Sequence, residues 1–276
     1  MAKDRIESKY FSVAPGIELH YLEKGEGRPL VFIPGLTFSG EVFQAQLEYF
    51  SRDYRVIAID PRGQGLSAKP VDGNDYMTHG RDLAALMDGL GLDKAVLVGW
   101  STGNLEVWSY IRQFGGEKLR GAVTIDMSPL PMSPDPKCWT EGAIEELSEV
   151  ATQYLTSFEG TRAFFSDYAT GVMIQHEMEP GELEYLLDIS ARTPYWICRA
   201  LFCDAMFSNF VDVARETAAG MPSLMFIAEH WADVARPFVE RTMPGCEIQV
   251  MGGHLMFYEY PEKWNGILEE FLNRLS

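Results

Sequence analysis

The chain is poor in several features that mark large protein classes. Only four cysteines occur in 276 residues: Cys138, Cys198, Cys203 and Cys246. None forms a C-x-x-C pair and no histidine–cysteine cluster has zinc spacing, which argues against a zinc module or a disulfide scaffold. They read as free, partly buried thiols of a reducing cytoplasm. No apolar run is long enough to cross a bilayer. The start, Met1 to Lys9, carries Lys3, Asp4, Arg5, Glu7 and Lys9 with no apolar core behind them, so it does not read as a secretion signal. Positive charge is also scarce, with 23 Lys and Arg against 40 Asp and Glu, a formal net charge of -17. Such a surface repels phosphates and anionic headgroups, so nucleic acid and membranes are set aside as partners. There is no internal repeat and no low-complexity tract.

What is present suits a folded core. Hydrophobic residues make up 46% of the chain, and its length fits one large domain carrying an insertion. Arg5–Val13 and Ile17–Lys24 flank the turn signal Ala14-Pro15-Gly16 and read as a hairpin. Short apolar runs follow at Pro29–Pro34, Arg55–Asp60, Ala95–Trp100, Ala122–Asp126, Ser223–Ala228 and Glu247–Met251, the pattern of strands buried on both faces. Helical patterns lie between them, notably Tyr76–Gly91 and Pro261–Leu275. The alternation predicts an α/β fold with a mostly parallel eight-stranded sheet flanked by helices. One stretch breaks the rhythm. Pro129, Pro131, Pro134 and Pro136 open it as a stiff linker, and helix candidates follow at Glu141–Phe158, Thr161–Gln175, Gly181–Thr193 and Pro194–Phe210. We read residues 131–220 as an inserted helical cap, and 1–130 with 221–276 as the core. A cap there roofs the carboxyl ends of the strands, where ligands bind in such sheets.

The strongest chemical signal is Gly99-Trp100-Ser101-Thr102-Gly103, which follows a buried strand and opens a helical pattern. That is the context of a G-x-S-x-G nucleophile elbow. The sharp turn strains the serine backbone and needs small neighbours, which Gly99 and Gly103 supply. It presents Ser101 at a helix amino end, where developing negative charge is favoured. The second signal is Gly252-Gly253-His254, a histidine on a glycine-paired loop after the last strand. His20, His79, His176 and His230 compete with it, and none combines those features. His20 sits in an alternating strand and reads as structural.

With these residues in place, the chain resembles the α/β-hydrolase superfamily over nearly its whole length. The matching pieces are Ile33-Pro34-Gly35-Leu36, the Asp60-Pro61-Arg62-Gly63-Gln64-Gly65-Leu66-Ser67 turn, the elbow and the Gly-Gly-His, in the expected order. The resemblance implies a structural use for the Asp60 turn. It also implies an oxyanion hole from the backbone N–H groups of Leu36 and Thr102. Many members carry His-Gly where this chain has Pro34-Gly35. Pro34 has no N–H, but the donor needed is at Leu36. A triad further needs a carboxylate to orient His254. The usual slot after Ser223–Ala228 holds Trp231, with Glu229 before it and Asp233 after it, and the Asp233–Pro237 spacing resembles the usual turn. Asp126, ending the strand after the elbow helix, is the alternative used by some haloalkane dehalogenases and by cofactor-free quinolone dioxygenases of this fold. We place Asp126 ahead of Asp233, with Glu229 in reserve.

A serine in the nucleophile slot argues against dehalogenase and epoxide hydrolase chemistry, which use a carboxylate there. The leading expectation is hydrolysis of an ester or lactone through an acyl-enzyme, with no metal and no cofactor. The alternatives are a cofactor-free dioxygenase and a perhydrolase or haloperoxidase-like activity. The dioxygenases carry extra histidines where this chain has Phe38, Trp100 and Thr102. The cap is dense in aromatic residues and methionine, among them Phe164, Phe165, Tyr168, Phe202 and Met206. Most read as helix core, and about three as pocket wall. Phe38 and Trp100 are further pocket candidates. The expected partner is an apolar or aromatic small molecule, and self-association into a homo-oligomer stays open.

Overall fold

The central strands alternate their side chains between two buried faces. In β3 (Arg28–Ile33), Leu30 and Phe32 enter one apolar cluster while Val31 and Ile33 enter the other. β4 (Tyr54–Ile59) does the same with Val56 and Ala58 against Ile57 and Ile59. A strand buried on both sides has no polar face to show, which is why these segments read as unbroken apolar runs. In the computed structural model, which describes residues 5–275, eight strands form one sheet. The others are β1 (Glu7–Ala14), β2 (Ile17–Lys24), β5 (Ala95–Trp100), β6 (Leu119–Ile125), β7 (Ser223–Ile227) and β8 (Glu247–Val250). Their order is β1-β2-β4-β3-β5-β6-β7-β8. The hairpin β1–β2 joins β4 antiparallel, and the strands from β4 to β8 run parallel. Residues 1–4 of the charged start lie outside the described residues.

The core helices are α1 (Gln44–Phe50), α2 (Tyr76–Leu90), α3 (Gly103–Phe114), α9 (Ala232–Thr242), α10 (Met256–Glu259) and α11 (Pro261–Arg274). Asp75 caps α2 by accepting from the Thr78 N–H, and Gly91 closes it in a left-handed conformation. No strand interrupts the stretch between β6 and β7. It holds α4 (Ile144–Glu149), α5 (Phe158–Tyr168), α6 (Glu182–Ser190), α7 (Tyr195–Met206) and α8 (Val211–Gly220). Among the described residues no helix is long and apolar enough to cross a membrane.

Several expected boundaries move, each for a local reason. The Glu141–Phe158 helix begins only at Ile144, because Gly142 takes a positive φ of 156°. It passes into a π turn at Val150–Tyr154 and stops there. Phe158 opens the next helix instead, capped by the Ser157 hydroxyl accepting from the Gly160 N–H. That helix runs into a second π turn, Ala169–Met173. The Pro194–Phe210 helix ends at Met206, and the Phe210 N–H donates to the Pro129 carbonyl, returning the chain to the core. α8 then packs against α3 and α9. Pro237, read as part of a turn, lies inside α9.

Candidate active site

The turn between β5 and α3 is as tight as its glycines imply. Ser101 has φ 52°, a left-handed conformation that costs a non-glycine residue energy. Space explains why glycine flanks it. A methyl on Gly103 would sit 2.4 Å from the Ile33 carbonyl oxygen, and one on Gly99 would sit 2.7 Å from Asn104 Oδ1. A methyl on Gly35 would come within 2.8 Å of Ser101 Cβ. The turn is braced by the Ser101 N–H donating to Ile125 O at 2.8 Å and by Asn104 Nδ2 donating to Ser101 O at 3.0 Å.

The loop after β3 is held by the Asp60 turn. Gln64 Nε2 donates to the carbonyls of Gly35 at 3.1 Å and Phe38 at 2.9 Å, and its Oε1 accepts from the Thr37 N–H at 3.0 Å. Asp60 is buried; it accepts from the N–H groups of Gly40 and Leu66 and lies 2.8 Å from His20 Nδ1. His20 is thus tied into a loop scaffold. Thr37, inside the same loop, has φ 70°. Leu36 and Thr102, the two expected donors, line the cavity that also holds Ser101.

The carboxylate in contact with His254 is Asp126. Its Oδ2 lies 2.7 Å from His254 Nδ1, and its Oδ1 accepts from the Ala228 N–H at 2.8 Å. Both residues are buried. Asp126 itself stands at φ 48°, with its N–H bonded to Phe226 O. Asp233 is exposed in the first turn of α9, and Glu229 is exposed beside its own short 3-10 turn. Neither has a hydrogen bond to His254 among the described residues. His79 pairs with Glu106 and His176 lies between Glu182 and Glu259, whereas His230, packed on Trp231, stands near the pair: burial lowers its pKa, the Asp126 charge raises it and the His254 charge lowers it.

His254 is locked from three sides. Its ring packs against Trp100 and Tyr168 at centroid distances of 5.5 and 5.7 Å. Trp100 Nε1 donates to its carbonyl at 2.8 Å. The N–H groups of His254 and Leu255 donate to Val172 and Met173 in the π turn of the insert. The ring's second nitrogen, Nε2, is buried without a hydrogen-bond partner, so Ser101 and His254 are not directly bonded in this state. Serine–histidine contacts of this kind often tighten only once substrate is bound.

The cavity over Ser101 measures about 180 Å³ and is lined by Phe38, Trp100 and Met127 from the core and by Phe164, Phe165, Tyr168 and Phe202 from the insert, among others. An apolar cavity of roughly 150 Å³ can hold benzene, so a ring or short chain fits. Glu141, Glu146, Leu147 and Val150 line it too, and these four and Met127 escaped the sequence reading. Glu141 reaches this wall because the proline-rich segment folds back on β6, with Ser128 Oγ donating to Trp139 O and the Ser128 N–H donating to Glu141 Oε1 at 3.3 Å. Burial pushes its carboxyl up to about 7; charge on His254 and the Ser128 N–H pull it down, and Asp126 pushes it further up.

A strained serine between a parallel strand and a helix, with a buried histidine–aspartate pair from later strand ends, meets a matching family model. The model described as alpha/beta hydrolase fold covers residues 28–222. The chain belongs to the alpha/beta hydrolase family. Within it, a non-heme haloperoxidase of Rhodococcus erythropolis is 33% identical over 59% of this chain and 58% of its own length. A bifunctional esterase/perhydrolase of Acinetobacter calcoaceticus is 30% identical over 59% of each chain. The matched segment spans 41–59% of the length of the first curated relatives. A bromoperoxidase of Bacillus anthracis shares the fold with a TM-score of 0.88 at 21% identity, covering 97% of this hydrolase and 100% of the bromoperoxidase.

Proposed function

We propose that this hydrolase transfers acyl groups through Ser101, resolving the acyl-enzyme with hydrogen peroxide as well as with water. Ser101 Oγ attacks the ester carbonyl while His254 Nε2 takes its proton, and Asp126 steadies the resulting imidazolium. The N–H groups of Leu36 and Thr102 hold the oxyanion, each donor contributing about 3 kcal/mol. The C–O bond to the alcohol breaks as His254 returns the proton to the leaving oxygen. Water then attacks the acyl carbon and releases an acid, or hydrogen peroxide attacks it and releases a peracid. In either case His254 accepts the nucleophile's proton and passes it back to Ser101. A peracid can oxidise a halide, returning the acid and a hypohalous acid, which connects this chemistry to the names of the haloperoxidase relatives.

The observation that carries the reading is the buried Asp126–His254 pair, whose free Nε2 lies among the rings surrounding the Ser101 cavity. The relatives' names weigh toward the peroxide branch over hydrolysis alone. A base-driven dioxygenase is less supported, because Phe38, Trp100 and Thr102 stand on the cavity wall where it would use histidines. The test follows acid and peracid release from one ester panel with and without hydrogen peroxide. Peroxide should divert part of the acyl flux to peracid, and both products should vanish together in Ser101→Ala. Acid release that ignores peroxide would leave simple hydrolysis. Oxygen uptake without either product would point to the dioxygenase.

A further inference from the structure

The cavity beside Ser101 is more than apolar. Five lining rings are linked in a chain that His254, behind the wall, closes: Trp100 to Phe38 at 5.0 Å, Phe38 to Phe165 at 6.3 Å, Phe165 to Phe164 at 5.2 Å, Phe164 to Tyr168 at 5.8 Å, Tyr168 to His254 at 5.7 Å and His254 to Trp100 at 5.5 Å. Two carboxyl groups line the same cavity, Glu141 and the more exposed Glu146, and no lysine or arginine lines it among the described residues. We propose that this cavity recognises a substituted ammonium group, so that the favoured substrates are esters bearing an alkylated, cationic nitrogen. The proposal rests on the acyl-transfer reading for turnover, but the binding it requires does not.

Three physical arguments converge. Aromatic faces attract a desolvated cation, and alkylated ammonium groups fit such surroundings because they need no hydrogen bonds. The Glu141 carboxylate has one hydrogen bond, from the Ser128 N–H at 3.3 Å, and no ion pair among the described residues. Glu141 is half-buried, and a carboxylate partly withdrawn from water without a counter-ion is costly, a cost that an ammonium guest relieves. The chain's net charge of -17 also draws cations toward the molecule.

The groups facing Glu141 decide the pH dependence. They are Asp126 at the end of β6, His254 after β8, Tyr168 on α5 and Glu146 on α4. Burial holds Glu141 neutral below about 7 and leaves it a carboxylate above. Burial, with Glu141 and Asp126 adding to it, also keeps the Tyr168 hydroxyl protonated. Cation binding therefore strengthens as pH rises and Glu141 ionises.

The experiment uses two probes of one shape. Benzyltrimethylammonium and its uncharged carbon isostere, neopentylbenzene, compete against turnover of a neutral ester, and each also binds Ser101→Ala in a calorimeter. At about pH 8.5 the cation should bind at least about tenfold more tightly, and the preference should shrink below about pH 6. In Glu141→Gln the preference at about pH 8.5 should fall by about tenfold, with Glu141→Asp keeping part of it. A wild-type preference for the uncharged probe, or one that survives intact in the Gln variant, overturns the proposal. Discriminating binding without turnover of any ester would keep the ammonium site and sink the acyl-transfer reading, so the two failures are distinct.

Discussion

Asp126→Asn is the most informative single change. The Asn side-chain oxygen can keep the Ala228 N–H bond that Asp126 Oδ1 now accepts. Asparagine also tolerates the left-handed backbone at φ 48°. The fold should therefore survive. The other side-chain arm changes sign: an amide donor replaces the carboxylate oxygen 2.7 Å from His254 Nδ1. Nδ1 must then accept, the ring proton moves to Nε2, and the nitrogen needed to take the Ser101 proton is already occupied. The amide also gives no support to an imidazolium. In the worked serine protease example the same exchange costs ~10⁴ in kcat; at 1.36 kcal/mol per decade that is about 5.4 kcal/mol. The assay is steady-state hydrolysis of a chromogenic ester, with a thermal melt to establish folding. Asp233→Asn and Glu229→Gln, both at exposed positions, serve as controls and should change kcat by less than about twofold, as surface substitutions usually do. A folded Asp126→Asn enzyme retaining more than about a tenth of wild-type kcat would refute the assignment.

The remaining predictions use the same preparation. Ser101→Ala should lose ester turnover by several orders of magnitude, whereas Ser101→Gly should be equally inactive yet melt higher than the Ala variant, since glycine relieves a conformation worth about 1–2 kcal/mol; a lower melt for Gly would contradict the strain at φ 52°. Gly103→Ala should fail to yield stable protein, because its methyl would meet the Ile33 carbonyl at 2.4 Å; a melt near wild type would remove that argument. Glu141, held up to about 7 by burial, favours the folded state while it is neutral, so this contribution is complete at low pH and is lost as pH rises through about 7. Glu141→Gln should therefore gain stability relative to wild type between about pH 5 and 8, by about 1–3 kcal/mol after allowance for its solvent-facing side, and denaturant melts showing no such divergence would count against the burial. Esters with medium or aromatic acyl groups should exceed acetates in kcat/KM by up to ~0.8 kcal/mol per buried CH₂, while a flat series would point to a small or polar substrate.

The central strands were legible because they are short apolar runs broken by glycine and proline, though a run apolar on both faces carries no mark of its register; β8, read as another doubly buried run, instead alternates exposed and half-buried residues at the sheet edge. The elbow was legible because a strained turn demands glycine at fixed positions. The helices of the insert were harder. Ser157 caps α5, but it fell inside the end of the first helical run, so the break was read between Phe158 and Thr161 and not before Phe158. Two π turns also lengthen the helical period, so a strict 3.6-residue reading drifts. α9 was hidden by Pro237, whose usual meaning is a stop. The place of Glu141 could not be read at all. It depends on residues 128–141 folding back through the Ser128–Trp139 bond, a tertiary return with no periodic signature.

The bonds joining the His254 loop to the Ala169–Met173 turn have a bearing on how such enzymes can be redesigned. His254 and Leu255 donate directly to the backbone of the insert, and a methyl on Gly253 would stand 2.6 Å from the Met173 carbonyl oxygen. The insert is consequently not an exchangeable cassette that adjusts specificity while leaving the chemistry below untouched. A chimera that replaces it with a relative's segment also replaces the surface on which the histidine is seated. Breadth of substrate and alignment of the proposed base are inherited as one unit, and changing the first calls for rebuilding residues 252–255 in the same step.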